Sequence, residues 1–150
     1  MAFALELTSE YGYVLALALA FYLHQSIGLV VPVVQQRVKT GIKAPTLYPR
    51  DSEIKALKLS DEDVMKYMQA QRAHQNNVEF TSIFMVVFMV AGLYSPKEVA
   101  IAGLVTLIGR IAGGVGYLFG KRAVGGWFHF GEWYVLYVLG KFAYAVMSSS

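Results

Sequence analysis

Residues 99–119 read VAIAGLVTLIGRIAGGVGYLF, and a run of about 20 such residues is what a helix needs to cross the hydrocarbon core of a bilayer. One ionisable side chain, Arg110, interrupts it. Three further apolar blocks stand around this one, at 11–34, 78–93 and 127–147, and the four with their connections use up nearly the whole chain. Hydrophobic residues make up 56% of the sequence and charged ones only 15%, with a mean hydropathy of +0.46, whereas a soluble domain is about 45–50% apolar. Lipid accounts for the excess. Each backbone polar group inside lipid must be paired within its own segment, which excludes an open sheet. The expected fold is therefore all-α: one integral membrane four-helix bundle over residues 1–150, with spans at about 11–34, 78–93, 99–119 and 127–147.

The charges say which way the bundle points. Of the thirteen Lys and Arg residues, Arg37, Lys39, Lys43, Arg50, Lys55, Lys58, Lys66 and Arg72 lie between the first two blocks. Lys121 and Arg122 lie between the last two, and Lys97 stands alone on the opposite side. Cytoplasmic loops carry the excess of Lys and Arg, so both basic loops are expected to face the cytoplasm and both termini the lumen. Residues 1–10 (MAFALELTSE) contain no Lys or Arg and end acidic, unlike a cleaved secretory leader, so the first span is expected to be retained. The chain has no cysteine, which removes disulfides, a thiolate nucleophile and a cysteine metal site from consideration. The basic loop also carries Asp51, Glu53, Asp61, Glu62 and Asp63 and few aromatics, which argues against a nucleic-acid partner.

Local signals fix several boundaries. Residues 41–53 (GIKAPTLYPRDSE) have two prolines and mixed charge, the chemistry of a surface loop. Ser60 followed by Asp63 has capping-box spacing and predicts a helix start that leads into the second span. Ser95-Pro96-Lys97-Glu98 predicts the start of the third, with Ser as cap and Pro in the first turn. Gly109/Gly113 and Gly116/Gly120 form two small-xxx-small registers, which let helix backbones approach closely. Gln25 and Ser26 make a polar notch in the first span, suited to a bond across to another helix.

Three constellations carry ionisable groups. Arg72, Asn76 and Glu79 stand at i, i+4 and i+7 and share one helix face near the membrane boundary. They read either as an Arg–Glu structural pair among solvated anchors, or as a pocket in which Arg grips a carboxylate and Glu accepts from an ammonium, as a small zwitterion requires. Arg110 lies within an apolar block, where an ion must be paired or face a polar cavity. It is expected either to pair with Glu79 or Glu132, or to serve a site together with Tyr117, seven residues on. The fourth block opens with Trp127, Phe128, His129, Phe130, Glu132, Trp133 and Tyr134, an aromatic belt with two ionisable residues inside it. His24 and His129 lie at different depths, so no haem is expected between them, and no metal-ligand cluster can be assembled. Lys141 is placed to snorkel to the nearer interface.

The segments EYGYVL (10–15), APTLYP (44–49), QRAHQNNVE (71–79), IGR (108–110) and GY (116–117), in this order and spacing, resemble the MAPEG superfamily, the membrane-associated proteins of eicosanoid and glutathione metabolism. Within it they are most similar to the microsomal glutathione S-transferase type 3 branch. The resemblance implies a homotrimer in an intracellular membrane such as the endoplasmic reticulum or another organelle. It implies glutathione as co-substrate, held between subunits near the cytoplasmic face, and a lipophilic electrophile or lipid hydroperoxide as partner substrate. Arg72, Asn76 and Glu79 fall on the family's peptide-binding motif, His74 on a further polar position, and Arg37, Arg110 and Tyr117 are the added contacts. Two positions depart from the pattern: Phe80 replaces a tyrosine and Gly113 an aromatic ligand. The arginine that activates the sulfur in several relatives would fall at Val124 or Gly126, so Arg122 fills that role only if the connection after the third span is shortened. The alternative implied is a catalytically reduced subunit packed against other membrane proteins.

Overall fold

The computed structural model describes residues 7–149, so the reading of residues 1–6 as part of a retained start lies outside it. Helices follow one another as α1 (Tyr11–Leu23), α2 (Val30–Thr40), α3 (Asp51–Ala56), α4 (Asp61–Tyr94), α5 (Pro96–Leu118) and α6 (Phe128–Ser148), with no strand among the described residues. α1 and α2 are one rod of 30 residues, Tyr11–Thr40, joined through a π turn at His24–Gly28. The cause lies just downstream. Pro32 has no N–H to bond the Gly28 carbonyl one turn back, and the ladder slips a residue, with Leu29 N bonding the His24 carbonyl at 3.0 Å.

Among the described residues, three helices are long and apolar enough to cross a membrane: Tyr11–Thr40, Asp61–Tyr94 and Pro96–Leu118. The 21 residues of α6 are also enough to cross, but they carry His, Glu, Lys, three Tyr and one Trp, which lowers its hydropathy. α4 has 34 residues and is roughly 50 Å long at 1.5 Å per residue, well beyond the ~30 Å of a hydrocarbon core. Its first turns therefore extend past the bilayer. Ser60 caps it as expected, accepting from the Asp63 amide at 3.1 Å. Ser95 also stands at a cap position, shared between the end of α4 and the start of α5, but its side chain makes no cap bond; Pro96 alone marks the start.

The core is a phenylalanine ladder. Phe84 stacks on Phe88 at 5.6 Å and tilts against Phe21 at 5.4 Å, and Phe21, Phe88, Val99, Val135 and Val138 are fully buried. Gly103 leaves the space that the Phe88 ring fills, and Gly131 lets α6 lie against Ala102 and Thr106 of α5. The outward faces are apolar as well, with Ile83 72% and Ile101 60% exposed, which suits contact with lipid rather than water.

The glycine registers of α5 give the expected helix packing at Gly109, which meets Phe128 at the start of α6, while Gly113 and Gly116 receive the chain's own connection. Gly120 takes φ +70°, a left-handed conformation that costs glycine little. Gly120 N bonds the Tyr117 carbonyl and Lys121 N the Gly116 carbonyl, a Schellman closure that reverses the chain. The connection then folds back along α5 as a short 3-10 turn, Arg122–Gly125. Lys121 rests on Gly116, Gly125 on Gly109 and Gly113, and Phe128 on Gly109. The chain's own connection thus occupies most of the stripe that was expected to receive a neighbouring helix, and α6 meets it at Gly109.

Candidate functional site

This fold-back closes a cavity of about 500 Å³ between α4, α5, the 122–125 turn and the start of α6, within the ~300–1,000 Å³ of ordinary ligand sites. Its walls bring together Asn76, Glu79, Arg110, Tyr117, Arg122 and His129. Each arrives for a local reason. Asn76 and Glu79 are one turn apart on α4; Arg110 and Tyr117 are two turns apart on α5. Arg122 reaches the wall because the Schellman turn shortens the connection.

Arg110 is the fixed point of the site. Its Nε donates to Asn77 Oδ1 and its Nη2 to Asn76 Oδ1, each at 3.0 Å. The guanidinium lies against two rings that meet edge to face, 4.7 Å from the centroid of Phe80 and 4.9 Å from that of Phe128, with the two centroids 5.0 Å apart. Among the described residues no carboxylate comes within ion-pair distance of it, so the expected pairing with Glu79 or Glu132 is not formed. Asn77 in turn donates to Gln25 Oε1 at 2.6 Å, which carries out the bond across helices expected of that notch. Leu29 takes the space left by Gly114, with the His24 ring in contact beside it, and among the described residues His24 Nε2 is buried with no partner.

The other sequence candidates lie at the rim or away from the cavity. Arg72 forms a loose pair with Glu79, 3.7 Å apart, and both side chains are exposed. Arg37 is turned to the following loop, where it donates to the Thr46 carbonyl at 2.9 Å and the Ile42 carbonyl at 3.4 Å and lies over the Tyr67 ring. His74 is half-buried on α4 and is not among the residues lining the cavity. Sequence reasoning passed over Asn77, the two rings that lie against Arg110, and His129 as a wall residue. Only the ring pair had a legible signal, since Phe80 and Phe128 are aromatic residues at the ends of apolar blocks.

Chemically the cavity offers two guanidinium groups, a carboxylate, two amides, an imidazole and a phenol in a partly enclosed space, with a third guanidinium at its edge. That set suits a small molecule with more than one carboxylate and an ammonium. Compared with known families, the chain matches the model of the MAPEG family over residues 13–145.

Proposed function

The chain belongs to the MAPEG family, the membrane-associated proteins of eicosanoid and glutathione metabolism, and from that premise we propose that it is a membrane-bound glutathione transferase and peroxidase of the type 3 microsomal kind. In this reading α6 crosses the bilayer as a fourth span, three copies assemble in an intracellular membrane, the basic loops face the cytoplasm, and the endoplasmic reticulum is the membrane in question. Glutathione supplies two carboxylates and one ammonium. Arg110 and Arg72 take the carboxylates, Glu79 accepts from the ammonium, Asn76 and Tyr117 complete the hydrogen bonds, and Arg37 and His74 come from the neighbouring subunit. Arg122 faces the sulfur. A cation there stabilises the thiolate and lowers a thiol pKa of ~8.5 toward neutrality, which raises the nucleophilic fraction. An apolar electrophile dissolved in the bilayer meets that sulfur from the side.

The observation that carries this reading is the convergence of Asn76, Glu79, Arg110, Tyr117 and Arg122 on one cavity. Calorimetry in detergent tests it. The wild-type protein is expected to bind glutathione and Glu79→Gln to bind about tenfold more weakly, which corresponds to ~1.4 kcal/mol. Arg122→Ala is expected to keep binding but lose the ultraviolet absorbance of bound thiolate. A wild-type protein with no heat of binding removes the receptor reading altogether.

A further inference from the structure

Two ionisable residues at the start of α6 have no part in the reading above. His129 Nδ1 and Glu132 Oε2 are 2.6 Å apart, with the Glu132 side chain 25% exposed, and their i, i+3 spacing places them on one helix face. They also stand between two cavities. His129 lines the polar one, together with Glu79, Arg110 and Arg122. Glu132 lines a smaller one of about 150 Å³ between α4 and α6, otherwise walled by Ile83, Phe84, Val87 and Leu136. Glu79 and Phe80 belong to both, so the polar and apolar spaces adjoin at these two residues. The apolar space opens outward, with Ile83 72% and Leu136 46% exposed. A carboxylate on one imidazole nitrogen fixes the tautomer, orients the ring and steadies the imidazolium, leaving the second nitrogen for proton transfer.

We propose that His129, held by Glu132, gives a proton to the departing oxygen of an apolar hydroperoxide that enters through the groove between Ile83 and Leu136. The proposal rests on the glutathione reading and extends it by naming the proton donor and the electrophile's entrance. The thiolate sulfur attacks the terminal peroxide oxygen, so that an S–O bond forms as the O–O bond breaks. The alkoxide leaves with its electron pair and takes the His129 proton to become an alcohol. The sulfur is oxidised to a sulfenic acid, which a second glutathione converts to the disulfide and water, and His129 recovers a proton released when glutathione ionises. A halide leaving group needs no proton, and that difference separates His129's chemistry from mere packing.

The experiment uses the full chain in detergent with glutathione and two electrophiles, cumene hydroperoxide and 1-chloro-2,4-dinitrobenzene. General acids contribute about 10²–10⁴-fold, so His129→Ala is expected to lower the hydroperoxide rate about 100-fold more than the aryl chloride rate, and added imidazole to restore part of the loss. Glu132→Gln is expected to show the same selectivity more weakly, because Glu132 positions the ring and does not touch the substrate. Should both electrophiles lose equally, or the hydroperoxide rate survive, His129 is no proton donor. Glutathione binding by each variant reports that the fold is intact, and His129→Gln serves if the alanine variant fails that check. A wild-type protein that binds no glutathione overturns the receptor reading and this one together, whereas intact binding with an unselective His129 variant overturns this one alone.

Discussion

Arg110 shows how one residue sets the character of the cavity. It is a cation, 9% exposed, inside a span, and a buried charge is tolerated only when it is well hydrogen-bonded or paired. Here amide dipoles and ring faces do that work, since Asn76, Asn77, Phe80 and Phe128 surround it. None of them neutralises the charge, so the cavity remains positive and favours an anion. Asn77 is the weak point, being 1% exposed and bonded on both sides, to Arg110 and to Gln25. Asn77→Ala should cost about 2 kcal/mol, within the range for hydrogen bonds to charged groups, read as a lower thermal midpoint in detergent. Asn77→Asp keeps the acceptor for Arg110 and should lose less. Equal midpoints for Asn77→Ala and wild type would mean that Arg110 finds other acceptors. Asn77 was not legible in the sequence because it stands one step from Asn76, off the face shared by Arg72, Asn76 and Glu79. Both of its partners lie on other helices, where spacing along one helix gives no information.

Among the elements, the connection after α5 decides whether the site exists. Helix starts were legible because their causes are local: Ser60 and Asp63 cap α4, and Pro96 opens α5. The fold-back of 122–125 was not. Its glycine stripe has the same spacing whether a foreign helix or the chain's own turn lies on it, and only the left-handed Gly120 tips the outcome. Fine substitutions separate the contacts. A Cβ on Gly125 collides with the Gly109 carbonyl oxygen and the Gly113 backbone, whereas one on Gly113 meets Gly125 Cα at 3.6 Å, an ordinary contact. Gly125→Ala should therefore lift the turn from α5, costing about 1–3 kcal/mol, the usual overpacking penalty, and moving Arg122 off the cavity wall. Gly113→Ala should be close to neutral in stability. Thermal midpoints and glutathione thiolate absorbance measured side by side check this, and a tolerated Gly125→Ala with full thiolate signal would show that the turn is not held by this contact.

For the whole molecule, assembly is what can complete the cavity, since Arg37 and His74 stand outside its walls. A guanidinium has five donors, and two of Arg37's are engaged by the Thr46 and Ile42 carbonyls. The same bonds hold the 41–46 loop in place and fix the direction in which the rest of the group points. If the proposed trimer forms, each interface is heterologous, with one chain offering its cavity and the next its Arg37. Arg37→Ala and Arg122→Ala are then defects at opposite sides of the interface, and each alone should impair every site. Co-assembled from equal amounts, they should regain roughly a quarter of wild-type turnover, because a cavity from an Arg37→Ala chain meets an intact Arg37 from an Arg122→Ala chain at that frequency in a closed ring. Mixing the two proteins after separate purification should restore nothing unless subunits exchange. A co-assembled preparation no more active than either parent would place Arg37's role within its own chain, as an anchor of the 41–46 loop, and leave the cavity complete in a single subunit.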